Sequence, residues 1–222
     1  MAYRSVTTLV VCVLLSPLAA TGTATAEASP HPGPVQAQIF ATNNTAIIND
    51  PADPRLRTRL IRFERRVRGI IRANGADPGR STLLDGVFWS ESLGQATYER
   101  SREFDVRRVS PAGLHHIADV VRKAYHQASV LTFEYLPKAS FRAGAVEIEV
   151  PGVDVRRLHD ALVADPDARA RLGGGSVTTG GRLILVAARS DLRLARRLVS
   201  EAGGTWSSAA VRYGAEEFVG SS

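Results

Sequence analysis

The sequence predicts an α+β fold made of two tandem ferredoxin-like (β-α-β-β-α-β) units, packed sheet to sheet as a pseudo-dimer. Three observations predict it. The order strand, helix, two strands, helix, strand occurs twice along the chain, without a repeat of individual residues. A break over residues 138–144 separates the two occurrences. Residues 183–188 are apolar at every position, which indicates a strand buried on both faces, as between two packed sheets.

The first 26 residues have the pattern of an export signal. An apolar run over residues 6–15 ends at Ser16, and Ala24-Thr25-Ala26 forms a small-x-small cleavage site. The run is shorter than the ~20 residues that a membrane-spanning helix needs. We therefore expect cleavage before Glu27 and a secreted protein. Residues 27–34 contain three prolines and are expected to form a flexible lead-in.

The first unit is predicted over residues 35–137. Its first strand carries Gln36 and Gln38 between apolar residues, and its last strand carries Thr132 and Glu134 in the same alternation. One face of this sheet is therefore predicted to be polar and, if it is enclosed, to line a pocket. The predicted elements are a strand over 35–42, a helix over 54–73, a hairpin of strands over 82–90 and 96–106, a helix that begins at 111, and a strand over 130–136.

The second unit is predicted over residues 145–222. Gly173-Gly174-Gly175 precedes a strand rather than a helix, so we interpret it as a turn and not as a phosphate-binding loop. The predicted elements are a strand over 145–150, a helix over 154–164, a helical turn from 165, a hairpin of strands over 176–179 and 183–188, a helix over 190–202, and a closing strand or pair over 205–218.

Composition excludes several chemistries. The chain is 44% hydrophobic and 23% charged, which is ordinary for a globular protein. Its only cysteine, Cys12, and its only methionine, Met1, both lie in the predicted signal, so the mature chain would contain no sulfur. Disulfides, thiol nucleophiles and cysteine metal sites are then excluded. The sequence also lacks the G-x-S-x-G, H-E-x-x-H and P-loop motifs. We expect no cofactor and no metal.

Arginine dominates the basic residues, since only two of the 28 are lysines and the formal net charge is +6. This bias is typical of a bacterial gene rich in G+C, and much of it carries no functional meaning. The cluster on the first predicted helix is denser than the bias explains, and it could attract anionic polymers. The alternative is a solvated helix face. The anion-binding candidates are Arg55, Arg59, Arg62, Arg65, Arg66, Arg68 and Arg72.

Two functions remain open, and the sequence favours the first. The first is a secreted binding or interaction protein without a catalytic motif, whose partners would be anionic cell-envelope polymers or another protein. The alternative is a secreted enzyme with an inter-sheet pocket, similar in layout to dimeric α+β barrels. Its acid/base candidates are Glu99, Glu103 and Glu134.

Further side chains could serve either function. Glu147 and Glu149 share one strand face, as a carboxylate pair would, although solvent-facing strands show the same alternation. Trp89 and Trp206 would either pack in the core or form the aromatic wall of a pocket. A pocket where two carboxylates converge would favour the enzyme, and solid apolar packing between the sheets would favour the interaction protein.

Overall fold

Eight strands form one closed antiparallel barrel in the computed structural model, which describes residues 36–220. The predicted export signal and lead-in lie outside these residues. The strands are β1 (Ala37–Thr42), β2 (Asp77–Ser90), β3 (Gln95–Arg107), β4 (Ser129–Tyr135), β5 (Ala145–Pro151), β6 (Gly174–Thr178), β7 (Arg182–Ala188) and β8 (Val211–Gly220). The helices are α1 (Ile61–Ala73), α2 (Pro111–Ala124), α3 (Val155–Ala164), α4 (Pro166–Leu172) and α5 (Leu192–Glu201).

The predicted fold class, two tandem ferredoxin-like units packed sheet to sheet, is wrong, and so is its description as a tandem repeat. Around the barrel the strands follow the order β1-β3-β2-β6-β7-β5-β8-β4. The sheet continues from the N-terminal to the C-terminal half at two places, where β2 pairs with β6 and β4 pairs with β8. These pairings satisfy the hydrogen-bonding groups that two separate sheets would leave exposed at their edges.

Helices cover the outside of the barrel and create two apolar cores there. One core contains Phe63 and Val67 of α1 and Ile117 of α2, packed on outward residues of β1 and β3. The other contains Leu158 of α3 and Leu198 of α5, packed on outward residues of β5 and β7. Because the apolar faces point outward to the helices, the inside of the barrel is left to the alternate strand positions. None of the helices in the described part is long and apolar enough to cross a membrane.

Helix α1 begins later than the sequence predicts. Asp53 caps a short 3-10 helix over Pro54–Arg57 instead of α1, and Leu60 then takes a left-handed conformation before α1 starts. The backbone carbonyls of Thr58 and Arg59 accept hydrogen bonds of 2.9 and 2.8 Å from the side chains of Arg100 and Arg102 on β3. These buried guanidinium groups hold the carbonyls outside the helix, which a local helix signal does not reveal.

The predicted polar face of the N-terminal strands is also partly wrong. Gln38 points into the barrel and pairs across the strands with Phe133. Thr132 and Glu134 therefore point outward, and their neighbours Leu131, Phe133 and Tyr135 point inward. An eight-stranded barrel has an interior that large side chains must fill, which explains why the aromatic set faces inward.

Candidate functional site

A cavity of about 390 Å³ occupies one end of the barrel interior. We call this cavity the pocket. The wall is apolar and aromatic over most of its area, with few polar side chains, which is the usual composition of a small-molecule site. The wall includes the apolar residues Phe40, Phe88, Trp89, Leu131, Ile184, Val186 and Phe218, and the polar residues Thr42, Glu99, Ser101, Ser176 and Glu216.

Strand register explains how these side chains reach the same cavity. Ser101 on β3 is paired with Thr42 on β1 and with Leu84 on β2, so all three side chains point inward. On the other side of the barrel Leu131 on β4 is paired with Phe218 on β8. The pocket is thus built from both halves of the chain, and its geometry depends on the two seams that close the barrel.

A glycine makes room at the pocket wall. At Gly174, a Cβ atom would overlap the carbonyl oxygen of Val87 and the backbone of Phe88 on the neighbouring strand. Only glycine allows β6 to approach β2 this closely. Gly173 ends α4 in a left-handed conformation, while Gly174 and Gly175 begin a strand that lines the pocket, so the prediction of a turn is wrong for these two residues.

Two carboxyl groups lie in the pocket wall. Burial raises the pKa of the Glu99 carboxyl, and a hydrogen bond with Ser101 only partly opposes this rise. Burial also raises the pKa of Glu216, which lies at the more exposed mouth. Among the described residues, no Lys, Arg or His lines the pocket. A carboxyl group in such surroundings can hold a proton at higher pH than usual, and it can give that proton to a bound molecule or take one from it.

A second group of acids lies deeper in the barrel, beyond the pocket. We call it the buried acidic cluster, and it consists of Glu103 and Asp105 on β3 and Glu147 and Glu149 on β5. Glu103 is only 2% exposed and Glu147 is fully buried. Since an isolated buried charge is very costly, each of these groups needs a partner or a proton.

Arg212 on β8 supplies one partner. Its Nη2 lies 2.9 Å from Glu147 Oε2 and 3.3 Å from Glu149 Oε2. The Tyr135 hydroxyl donates a 2.5 Å hydrogen bond to Glu147 Oε2. Burial raises the pKa of Glu147, while Arg212 and the Tyr135 hydrogen bond oppose the rise. Burial and the adjacent Glu147 raise the pKa of the Tyr135 phenol, which stays protonated as a donor.

A proton supplies the other compensation. Burial, followed by the negative charges of Glu147 and Asp105, raises the pKa of Glu103 to about 8. Glu103 Oε1 contacts the Gln38 amide nitrogen, and the buried Gln38 Oε1 has no hydrogen-bond partner among the described residues. A 180° flip of the Gln38 side-chain amide would let its oxygen accept a hydrogen bond from the protonated Glu103 carboxyl. Inside the described barrel, Glu147 Oε1 also has no hydrogen-bond partner.

The structure separates the three acid/base candidates of the sequence. Glu99 and Glu103 both point into the barrel, Glu99 into the pocket and Glu103 into the buried acidic cluster. Glu134 points outward, where Arg142 Nη2 lies 2.5 Å from its Oε2. The barrel therefore does not bring Glu134 together with the other two, because the alternation of β4 places it on the opposite face.

Four of the arginine candidates lie on α1 without an acidic partner among the described residues, and the other three are paired or lie before α1. Arg55 lies on the 3-10 helix and pairs with Asp53 at 2.7 Å, Arg59 precedes α1, and Arg68 lies 3.7 Å from Glu64. The other four are exposed on about a third of the circumference of α1, and no carboxylate of the described chain lies within 4.0 Å of them. We call these four residues the arginine face: Arg62, Arg65, Arg66 and Arg72.

Sequence reasoning missed Tyr135, Arg212 and Glu216 as interior residues. Each lies at an inward position of β4 or β8, the two strands that close the barrel. Their alternation with outward residues is present in the sequence, but only the barrel register shows which face is enclosed. Trp89 borders the pocket while its ring lies 4.3 Å from the Arg169 guanidinium, and Trp206 packs against the C-terminal core.

Comparisons with protein-family models, with curated proteins and with solved structures find no match for this chain. Within residues 36–220, no three His, Cys, Asp or Glu side chains are arranged to hold a metal ion.

Proposed function

We propose that this protein binds a small, largely apolar molecule in the pocket, with Glu99 as the group that hydrogen-bonds to it. The observation that supports this proposal is a half-buried carboxyl that faces an aromatic-walled cavity and has no basic partner lining that cavity among the described residues. A carboxyl in this position reduces the stability of the folded protein unless a bound molecule forms a hydrogen bond or an ion pair with it. The cavity volume suits a compact organic molecule.

A thermal-shift screen of small aromatic and aliphatic molecules tests this proposal, because a ligand of the folded state raises the melting temperature. Leu131→Trp would fill the pocket from its wall, and Phe141→Trp is the matched control on a loop where Phe141 is 98% exposed. We expect stabilising ligands that lose their effect in Leu131→Trp and keep it in Phe141→Trp. Stabilisation that is equal in both variants would contradict binding in the pocket.

Acid/base catalysis in the same pocket is a second candidate, since Glu99 and Glu216 both line it. Glu99 would transfer a proton to or from the bound molecule, and Glu216 at the mouth would exchange protons with solvent. Ligands from the screen should then be converted slowly by the protein, as detected by mass spectrometry of the mixture. Glu99→Gln should abolish conversion and retain binding. Binding without conversion by the unaltered protein would leave the simple binding function.

Association with anionic polymers is a separate candidate, and the arginine face favours it. Four exposed guanidinium groups within three helical turns attract a polyanion by Coulomb forces and counterion release. The partners would be anionic cell-envelope polymers, in keeping with export of the protein.

Export has its own test. Intact mass of protein from the culture medium should match a chain that begins at or near Glu27. Full-length protein confined to the cytosol would contradict export.

A further inference from the structure

The charge balance of the pocket wall differs from that of the whole chain. The chain has a formal net charge of +6, yet the described wall contains two carboxyl groups and no basic side chain. Every carboxyl of the buried acidic cluster, by contrast, lies close to Arg212, Arg182, Gln38 or Arg80. The pocket thus has a local negative excess that neighbouring residues leave uncompensated.

The sign of this excess discriminates between classes of ligand. An anionic ligand would meet like charges in a cavity of low polarity, which costs free energy. A neutral ligand would gain burial of its apolar surface and one hydrogen bond. A cation would gain the same burial, and it would also stabilise the ionised form of Glu99, because an opposite charge at short range favours ionisation. The aromatic rings of Phe40, Phe88 and Phe218 in the wall can add cation–π attraction.

The buried acidic cluster adds little to this excess. Glu147 and Glu149 are paired with Arg212 and Arg182, and Glu103 keeps a proton. This layer is therefore largely compensated, although it begins only two residues beyond Ser101 on β3, a step of about 7 Å along the strand. The attraction for a positive group comes from Glu99 and Glu216 in the pocket wall.

We infer that the ligand of the pocket is an organic cation, an amine carried on a compact apolar body. The inference rests on the proposed function and specifies its ligand class. The amine would lie against Glu99, with Glu216 at the mouth as a second anionic contact, and the apolar body would lie among Phe40, Leu131 and Val186. A charge-assisted hydrogen bond to Glu99 would then supply the specificity, and the apolar wall would supply contact area.

Three probes with the same apolar body test the inference: phenylpropylamine, phenylpropanol and phenylpropionate. Isothermal titration of the purified protein at neutral pH measures the affinity of each. We expect the amine to bind at least about tenfold more tightly than the alcohol, and the carboxylate to bind most weakly. The alcohol reports on the cavity itself, since it carries no charge.

Matched variants assign the preference to the pocket. Glu99→Gln keeps the shape of the side chain, so it should reduce the affinity for the amine about tenfold or more and change that for the alcohol less than about threefold. Glu217→Gln is the control, because Glu217 is the next residue to Glu216 but points outward to His115, 2.9 Å away. It should leave both affinities unchanged.

The outcomes separate the two claims. An alcohol that binds as tightly as the amine, or a carboxylate that binds more tightly, would overturn the organic-cation inference and leave the pocket as a binding site. An amine preference that survives Glu99→Gln would also overturn it, because the cation would then be recognised elsewhere. If none of the three probes binds, or if alcohol binding persists in Leu131→Trp, both the inference and the proposed pocket function are overturned.

Discussion

The two ends of the barrel interior contain similar acidic side chains in different surroundings. In the buried acidic cluster, Arg212 and Tyr135 contact Glu147, and Glu103 keeps a proton. In the pocket, Glu99 has a hydrogen bond with Ser101, and no basic residue of the described chain lines the wall. One end is filled by side chains whose charges are compensated, and the other contains a cavity whose carboxyl groups have no basic partner in its described wall.

This difference indicates which acids maintain the fold and which are available to a ligand. A buried carboxyl that is matched by arginine, tyrosine or a proton has its electrostatic requirement met inside the protein. A carboxyl in a cavity has that requirement met only when a molecule enters. The same strand, β3, carries both kinds, since Glu99 lies four residues before Glu103 and six before Asp105, so the distinction comes from the neighbours and not from the residue type.

Removal of Arg212 should produce the largest change in stability. Arg212→Met leaves the fully buried Glu147 with only its hydrogen bond from Tyr135, and breaking such a pair costs about 3 kcal/mol of the free energy of unfolding. Urea unfolding followed by circular dichroism measures the loss. The double variant Arg212→Met/Glu147→Gln should recover more than half of it, because no buried charge is then left unpaired.

Arg182→Met provides the control for Arg212. Arg182 contacts Glu149 at 3.3 Å, but Glu149 is 24% exposed and keeps Arg212 as a partner, so removal of Arg182 should cost less than about 1 kcal/mol. Equal losses in the two single variants would show that Arg212 is not a special partner, and the contrast between the two ends of the barrel would be wrong.

The pH dependence of stability should identify Glu103 as the next largest contributor. Below its usual pKa of 4.5, the carboxyl is protonated in the folded and unfolded states and has no effect. Between 4.5 and about 8, only the folded state keeps the proton, so the contribution of Glu103 to stability falls as pH rises. Above about 8 the contribution is constant.

Glu103→Gln should remove this slope and stabilise the protein at pH 8 while changing little at pH 4.5. Unfolding free energies of the variant and the unaltered protein, measured at several pH values, give the difference directly. Glu134→Gln is the control, since Glu134 faces outward and pairs with Arg142 at the surface. If the two variants show the same pH profile, Glu103 does not hold a proton at neutral pH.

Local patterns predicted most of the elements but not how the strands join. The helices at 111–124 and 155–164 and the hairpin of β2 and β3 appear where apolar spacing and caps place them, because their signals are local. The closure of the barrel depends on pairings between residues such as Leu84 and Thr178, which lie far apart in the chain. No local pattern specifies a partner strand, so the element order alone does not distinguish two packed sheets from the closed barrel.

The candidate site was predictable to the same limited degree. The alternation of β3 identified Glu99 and Glu103 as side chains on one face, and the structure places both inside the barrel. Polarity predicts that Glu134 shares their face, but an alternating strand has two faces that could point inward. In the structure Phe133 and Tyr135 fill the interior of the barrel, and Glu134 points outward.

Glu99→Gln should change stability in the opposite direction to Arg212→Met. Burial raises the pKa of Glu99, so ionisation of this group above pH 4.5 disfavours the folded state, and a neutral amide avoids that cost. We expect a gain of roughly 1 kcal/mol at pH 8, as is common when a functional site is neutralised. Thermal and urea unfolding measure it, with Glu217→Gln as the unchanged control. A loss of stability would mean that the hydrogen bond with Ser101 makes Glu99 a structural residue.

Removal of the arginine face should have the smallest effect on stability and the clearest effect on association with polyanions. In this respect these surface charges differ from the acids of the pocket and of the buried acidic cluster. Arg62, Arg65, Arg66 and Arg72 are exposed, while Phe63, Val67 and Ile71 form the buried side of α1. Replacing the four arginines with glutamine keeps good helix formers and leaves the buried side unchanged, so the free energy of unfolding should change by less than about 0.5 kcal/mol. Retention on heparin resin should nevertheless move to lower salt, because fewer counterions are released on binding.

A second quadruple variant distinguishes local density from total charge on the resin. Arg156, Arg157, Arg193 and Arg196 are exposed on α3 and α5, and their replacement by glutamine removes the same number of positive charges from other helices. If the arginine face is a binding surface, its loss should shift elution to lower salt by clearly more than this control does. Equal shifts would mean that retention depends only on net charge and that the arginine face is a solvated surface. Unfolding of the first variant alone would mean that these arginines stabilise the fold, and the association proposal would then lose its support.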